Sequence, residues 1–588
     1  MLRAVPGFYV SQNRGSTGFV GTRGINRTTD YRARFLVQVD GHRLTDPVYG
    51  TLPNQQDFPL DLDLIERVEI VRGPGSSLHG SNAFVGIVNV VTRKGRDMDG
   101  VEAALSTGSL STNTARLSYG TETEAGVDVL LSGTLYGSSG NNDLYFPEFD
   151  SAAGGTDGHA RNIDADHAGS VFGRVGYKGL TLAAGHADRE KQIPSGRYDA
   201  IFGDPGVTNW EKRTYVTAEY SQTLASDWEI LARGSFDRYF YAGTIPMLSQ
   251  QGEPFDYKTD IDARWLRAEL QASRSFGRHR LTAGGEYHSL YDLDAHLFYE
   301  TQGYFLGDRY RTDVEIASYG LYLQDEFRLN DKLLFNVGIR LDEYDTFGET
   351  INPRLGMIYL PWEKTTFKLL YGRAFRAPVL SELFYQVEND SRNINPFLDP
   401  EKITTYEAIW EQRITSWLQT SLSVYHNDIS NVIEFSPTAD TINTYAYVNM
   451  GETTVNGVEA TVELGTAKGV RGRLSYAYAD VDSDGYVTDN SPRHLLKGGM
   501  LIPLGSERYT AALEAHYISS RYDKRGMETG DYWIANINLF ARPLGDNLDL
   551  SLGVYNLFDE KYVDPASSLP FQTEQDGRTA RLKLTYRF

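Results

Sequence analysis

Residues 580–588 read A-R-L-K-L-T-Y-R-F, and this spacing restricts the fold more than any other stretch of the chain. Ala580, Leu582, Leu584, Tyr586 and Phe588 fall on one side of an extended strand; Arg581, Lys583, Thr585 and Arg587 fall on the other. A strand with lipid on one face and a polar lumen on the other needs this period of two. One half-buried edge strand of a soluble sheet would read the same way. The rest of the chain has to choose.

Composition chooses the barrel. The 588 residues include 57 Gly and 38 Tyr, with aromatics at 12%, which suits a sheet with aromatic girdles and turn-rich connections. Cysteine is absent, so neither a disulfide framework nor a thiolate metal site can form. A net charge of −21 argues against nucleic acid, whose binding requires a basic footprint. The longest strongly apolar run, residues 83–91, is interrupted by Asn89 and falls far short of the roughly 20 residues of a spanning helix. Insertion in a membrane must therefore use strands. The opening, Met1 to Gly7, lacks the apolar stretch of a signal peptide, so the sequence implies a natural N-terminus upstream of Met1.

Alternating segments recur from about Thr107 onward. Trp228, Ile230, Ala232, Phe236 and Phe240 share one face, with Glu229, Arg233, Ser235 and Asp237 on the other. Leu333, Phe335, Val337, Ile339 and Leu341 oppose Asn336, Arg340 and Asp342 in the same manner. A soluble propeller would repeat a blade signature at fixed period, and none is found. Connections alternate between long, as at residues 136–166 and 290–312, and short, as at 329–332, the pattern of outer loops and periplasmic turns. At roughly 20 to 24 residues per strand and connection, residues 98–588 supply about 22 antiparallel strands, a width whose lumen needs filling. Residues 1–97 differ in texture. Short strands near residues 35–40, 68–71 and 87–91, separated by Gly-rich loops, read as a small mixed α/β domain of their own.

Three segments of that domain carry a resemblance: Thr22-Arg23-Gly24-Ile25, Val37-Gln38-Val39-Asp40-Gly41, and residues 65–92, reading IERVEIVRGPGSSLHGSNAFVGIVNVVT. Together they resemble the plug domain of TonB-dependent outer-membrane receptors. In the barrel, Gly372-Arg373-Ala374-Phe375-Arg376-Ala377-Pro378, Asn395-Pro396, Pro400-Glu401, Thr405-Tyr406-Glu407 and residues 554–559, VYNLFD, resemble the same family. The strand that ends on Tyr586 and Phe588 is similar to the assembly signal of Gram-negative outer-membrane barrels. The resemblance implies an integral, monomeric outer-membrane protein in contact with lipid and lipopolysaccharide. It implies coupling to the TonB-ExbB-ExbD system and import of a ferric siderophore without a cofactor. Haem or cobalamin is the alternative ligand, and a passive or binding-only barrel the alternative function. The family's TonB-binding box precedes the plug core, and the sequence given starts after its expected position.

The resemblance also proposes residues. Arg23 and Arg72, beside strands that must lie inside a barrel, match plug arginines that pair with wall glutamates, here Glu407 and Glu459. The alternative is four separate solvated charges. Outward plug loops put ligand contacts near Arg14, Arg27, Tyr31, Arg32 and Tyr49, residue types that pair with and stack on a planar anionic iron chelate. Haem receptors place a ligating histidine between the FRAP-like and Asn-Pro motifs, and residues 379–394 contain none; His42 and His79 remain. Asp480, Asp482 and Asp484 begin like a calcium loop, but Ser491 replaces its twelfth-position Glu. Asp164 and Asp166 raise the same possibility. Neither a His-Glu-x-x-His helix nor a Gly-x-Ser-x-Gly elbow occurs, and no catalysis is expected.

Overall fold

The computed structural model describes residues 2–15, 18–26, 34–53, 55–151, 156–302, 304–384, 395–437, 445–483, 488–506, 508–542, 547–566 and 570–588. Twenty-two antiparallel strands close a barrel that begins with Gly100–Gly108. The last strand, Thr579–Arg587, closes it by pairing with both Leu548–Tyr555 and Gly100–Gly108. One further short strand, Tyr304–Asp313, pairs with the outer end of His279–Thr301, whose lower part pairs with Ile316–Asn330. No described helix is long and apolar enough to cross a membrane, as expected for a chain that crosses with strands.

The period of two determines which face each residue takes. In Leu333–Tyr344, Val337 and Ile339 are about half exposed toward lipid, at 49% and 50%, while Arg340 and Asp342 retain 3% and 2% in the lumen. Connections of two residues, as between Phe276 and His279 or Asn330 and Leu333, lie at the same end as Gly100 and Phe588. That end faces the periplasm, because outer-membrane barrels keep their short turns there. Toward the outside, Glu229–Leu248, Pro254–Phe276 and His279–Thr301 run for 20, 23 and 23 residues. At about 3.3 Å per residue they reach well beyond the bilayer. The expected loop at 290–312 is thus mostly a continued hairpin: Leu290 and its neighbours keep pairing because Leu290, Leu293, Ala295 and Leu297 bury an apolar inner face. The connection at 136–166 likewise contains a hairpin, Asp143–Ser151 with Thr156–Arg161.

Inside the barrel, a hairpin of Phe8–Gln12 and Gly18–Thr22 precedes a four-stranded sheet. Its order is His42–Arg43, Phe35–Val39, Gly86–Thr92 and Ile65–Arg72, with the two central strands parallel. The single α-helix of this domain among the described residues is one turn, Ser76–His79. Phe8, Phe35, Val37, Leu64, Phe84 and Val88 form a core that extends to Leu130, Phe172, Tyr215 and Tyr425 of the wall. Two glycines show what close fit requires. Gly73 turns with φ of +85°, and Gly80, at φ +65°, puts the position of an added Cβ 2.9 Å from the Arg340 guanidinium of the wall.

Candidate plug–barrel lock and ligand site

Arg23 leaves the hairpin in a left-handed conformation, φ +54°, which points its side chain at the wall. Its guanidinium donates to Glu407 at 2.7 and 3.3 Å and lies 3.4 Å from Glu459. Arg72, at the end of Ile65–Arg72, donates to the other oxygen of Glu459 at 2.7 Å. The four expected residues therefore form one network rather than four solvated charges. Ser423 Oγ donates to Glu407 at 2.5 Å, and the Arg23 guanidinium lies 4.1 Å from the centre of the Tyr425 ring. Side chains of Arg23, Glu407 and Glu459 retain only 2 to 4% exposure, while Arg72 keeps 35%. Burial opposes the charge on Arg23, but Glu459 and Glu407 more than compensate and hold its proton above the usual arginine range.

A second network, nearer the outside, has no counterpart in the sequence reading. Arg34 of the plug donates to Glu401 at 2.9 and 3.1 Å. Glu401 also accepts from Arg376 at 2.8 Å, and Arg376 grips Glu382 with two bonds of 2.9 and 3.0 Å. Glu401 takes the backbone N–H of Ile433, and Glu382 that of Val379, so the carboxylates also order the outer loops. Arg376 and Glu401 sat in family-like motifs, but only three-dimensional closure shows that strand ends 25 residues apart face one another.

Of the expected ligand contacts, Arg14 is already engaged: it pairs with Asp576 at 2.9 Å and Asp164 at 3.4 Å, tying the plug apex to two outer loops. Tyr49 packs edge-on against Tyr241 of the long strand Glu229–Leu248. Arg27, Tyr31 and Arg32 lie outside the described residues. His42 is buried, stacked on Tyr215 at 4.4 Å and 2.9 Å from Asp237. His79, on the one-turn helix, is held neutral, its pKa lowered to about 4 by burial and by Arg43. Asp164 accepts from Lys191 at 2.6 Å and Asp166 from Arg189 at 2.8 Å, so cationic side chains occupy the carboxylates that a calcium ion would need. Asp480 pairs with Arg493 at 2.6 Å; Asp484 lies outside the described residues. Among the described residues no three His, Cys, Asp or Glu are grouped as metal ligands.

The terminal strand is placed as its pattern requires. Tyr586 and Phe588 face outward, 42% and 74% exposed, with their rings 4.8 Å apart. The Phe588 N–H donates to Val101 across the closing seam at 2.9 Å.

Two family models match the chain. One, for TonB dependent receptor-like β-barrels, covers residues 148–557, and the other, for the TonB-dependent receptor plug domain, covers residues 1–87. Among solved structures, the ferripyoverdine receptor of the outer membrane of Pseudomonas aeruginosa is 16% identical with a TM-score of 0.75, over all of this chain and 83% of the other. The ferric enterobactin receptor PfeA is 19% identical at 0.76, over 100% and 96%. The copper transporter OprC is 19% identical at 0.79, over 100% and 94%. Each is similar to this chain in fold.

Proposed function

The chain belongs to the TonB-dependent receptor family and is an integral outer-membrane protein, a receptor and not an enzyme; on that premise we propose that it captures a ferric siderophore and imports it under TonB drive. The observation that carries the reading is a plug fastened in the lumen by charge networks. An Arg–Glu network is strong while closed, yet its members regain water when pulled apart, so a mechanical pull can exchange protein partners for solvent. Outer loops and the plug apex take the ligand. The resulting shift favours the plug state that the TonB-ExbB-ExbD system engages, since a ligand moves an equilibrium only by its differential affinity for two states.

Iron chelate is favoured over bare metal by the donor set. With no cysteine in the chain, copper(I) would have only the thioethers of its seven methionines as soft ligands, without a thiolate. Of the two plug histidines considered for haem, His42 is enclosed between Tyr215 and Asp237. The test is tryptophan quenching of the refolded protein by ferric catecholates, ferric hydroxamates, haemin, cobalamin and copper(II). Saturable submicromolar binding of one ferric siderophore is the expected result. Tight binding of haemin, cobalamin or copper instead would replace the substrate, and a large steady conductance in a planar bilayer would replace importer by passive channel.

A further inference from the structure

Where the plug meets the outer rim of the wall, a cleft of ≈ 90 Å³ opens between Arg43 and Thr45 of the plug and Arg267 and His288 of two long strands. Its height is set by register: Arg267, His288, Ser318 and Tyr344 face one another across four neighbouring strands, and Tyr344 is the last residue of its strand on the outer side. The lock arginines each have a carboxylate at hydrogen-bond distance, but here Arg43, Arg267 and Arg340 share Glu286, and neither Arg43 nor Arg267 hydrogen-bonds to it. Arg43 approaches one carboxylate oxygen, on Glu286, at 3.9 Å, and Glu286 is already held by Arg340 at 2.6 Å. The buried Nε of Arg267, Nε2 of His288 and Oγ1 of Thr45 have no hydrogen-bond partner, and Thr45 is 92% buried on its 8% exposure. Asp46 also lines the cleft, but its carboxylate is saturated: it accepts from the N–H groups of Val48, Tyr49 and Thr51 and the Thr51 hydroxyl, with Arg213 at 3.5 Å.

A lumenal guanidinium that shares one carboxylate with two other cations is under-compensated and favours a further anion. Arg43, Arg267 and Thr45 line one small cleft and together offer what an oxyanion needs: charge, a bidentate fork and a hydroxyl. We propose that this cleft is an oxyanion site, taking one carboxylate- or phosphate-sized group between Arg43 of the plug and Arg267 of the wall. Because it bridges the two domains, an occupying anion competes with Glu286 for Arg43 and alters how the plug is seated. The site stands on its own geometry; that the oxyanion arrives on the transported chelate rests on the receptor reading above.

The experiment titrates inorganic phosphate into the purified full chain in detergent, in a buffer free of other oxyanions, and follows heat. Saturable binding is expected in the wild type, weakened about tenfold or more in Arg267→Gln and unchanged in Arg473→Gln, whose guanidinium already pairs with Glu463. If Arg267→Gln does not assemble, Thr45→Val serves, with a loss of about threefold expected for one neutral hydroxyl. Absent saturation in the wild type, equal affinity in the cleft variants, or equal loss in Arg473→Gln overturns the proposal. A second arm adds ferric citrate, an iron chelate that carries carboxylate groups. Competition with phosphate in the wild type but not in Arg267→Gln means that the chelate brings the oxyanion. Independent binding means that the cleft takes free anion and leaves the receptor reading intact. Phosphate binding with that chelate bound in no variant would keep the cleft and remove this chelate as the source of its oxyanion, leaving the substrate reading to the quenching panel.

Discussion

The plug meets the wall differently on two flanks. Against the strands Glu401–Arg413 and Glu452–Gly465 it is fastened by side chains that are nearly waterless: Arg23 at 2% exposure, Glu407 at 4% and Glu459 at 3%. Toward Gly100–Gly108, Asn113–Glu122 and Thr579–Arg587 a cavity of ≈ 570 Å³ separates them. That gap is bridged by Asp63, which accepts from Lys583 and, at 3.0 Å, from Arg116, and by Asp61, which accepts from Thr134 at 3.1 Å. Asp63 and Lys583 each keep 27% exposure. Both flanks use opposite charges, but the first buries both Arg23 and its carboxylates, whereas on the second Arg116 is buried at 1% and its plug partner Asp63 stays open to water. Desolvation, more than the number of ion pairs, decides which fastener is costly to break. The plug therefore has a gripped flank and a loose one, and the loose flank is where space already exists for a path.

Removing charge from the gripped flank gives the largest expected effect. Glu459→Gln leaves Arg72 and Arg23 sharing one neutral amide oxygen, with Glu407 as the only remaining carboxylate of the four-residue network. Removing one partner from a buried pair costs about 3–5 kcal/mol. The plug should then unseat at lower denaturant, and cells carrying the variant should admit large antibiotics. Unchanged permeability and an unchanged plug transition would show that the network positions the plug without fastening it.

A smaller effect comes from adding charge. His79, on the helix whose Leu78 carbonyl accepts from Arg340 at 3.0 Å, faces Arg43, Arg340 and Arg354, with Glu286 as the opposing charge. Burial and these cations lower its pKa from 6.5 to about 4. Between those values the unfolded chain binds the proton and the seated plug does not, so stability is complete above pH 6.5 and declines as pH falls toward 4. The decline should amount to about 3 kcal/mol by pH 4 and should flatten in His79→Gln, read as protease resistance of the plug against pH. Identical profiles for the two proteins would remove His79 from the account.

The wall was legible because its physics is local: a period of two separates Val337 and Ile339 from Arg340 and Asp342 without knowledge of any neighbour. The Arg23–Arg72–Glu407–Glu459 network was reachable only through family likeness, since its residues lie as far as 436 positions apart and no pattern within one sequence joins them. The Arg34–Glu401–Arg376–Glu382 network escaped for the same reason, although two of its members stood in recognised motifs. Arg14 shows the opposite limit. Its residue type suits an anionic ligand, and sequence carries no sign that Asp164 and Asp576 would reach it.

The smallest effect belongs to the loose flank and tests the comparison most directly. Asp63→Asn removes the charge that pairs with Lys583, but Arg116 retains Glu102 at 2.5 Å, and Lys583 can turn to water in the adjoining cavity. Burial opposes the Asp63 charge, while Lys583 and Arg116 outweigh it and hold its pKa below the usual range. Its contribution is therefore present above the ordinary aspartate pKa and lost as pH falls through the lowered one. A pair this open to solvent is worth about 1 kcal/mol or less at neutral pH, and salt should screen it. The plug transition of Asp63→Asn should accordingly move by a fraction of the Glu459→Gln shift, and the difference from wild type should shrink further in concentrated salt. A shift equal to that of Glu459→Gln, insensitive to salt, would mean that both flanks grip alike and that the ≈ 570 Å³ cavity marks no preferred side for plug movement.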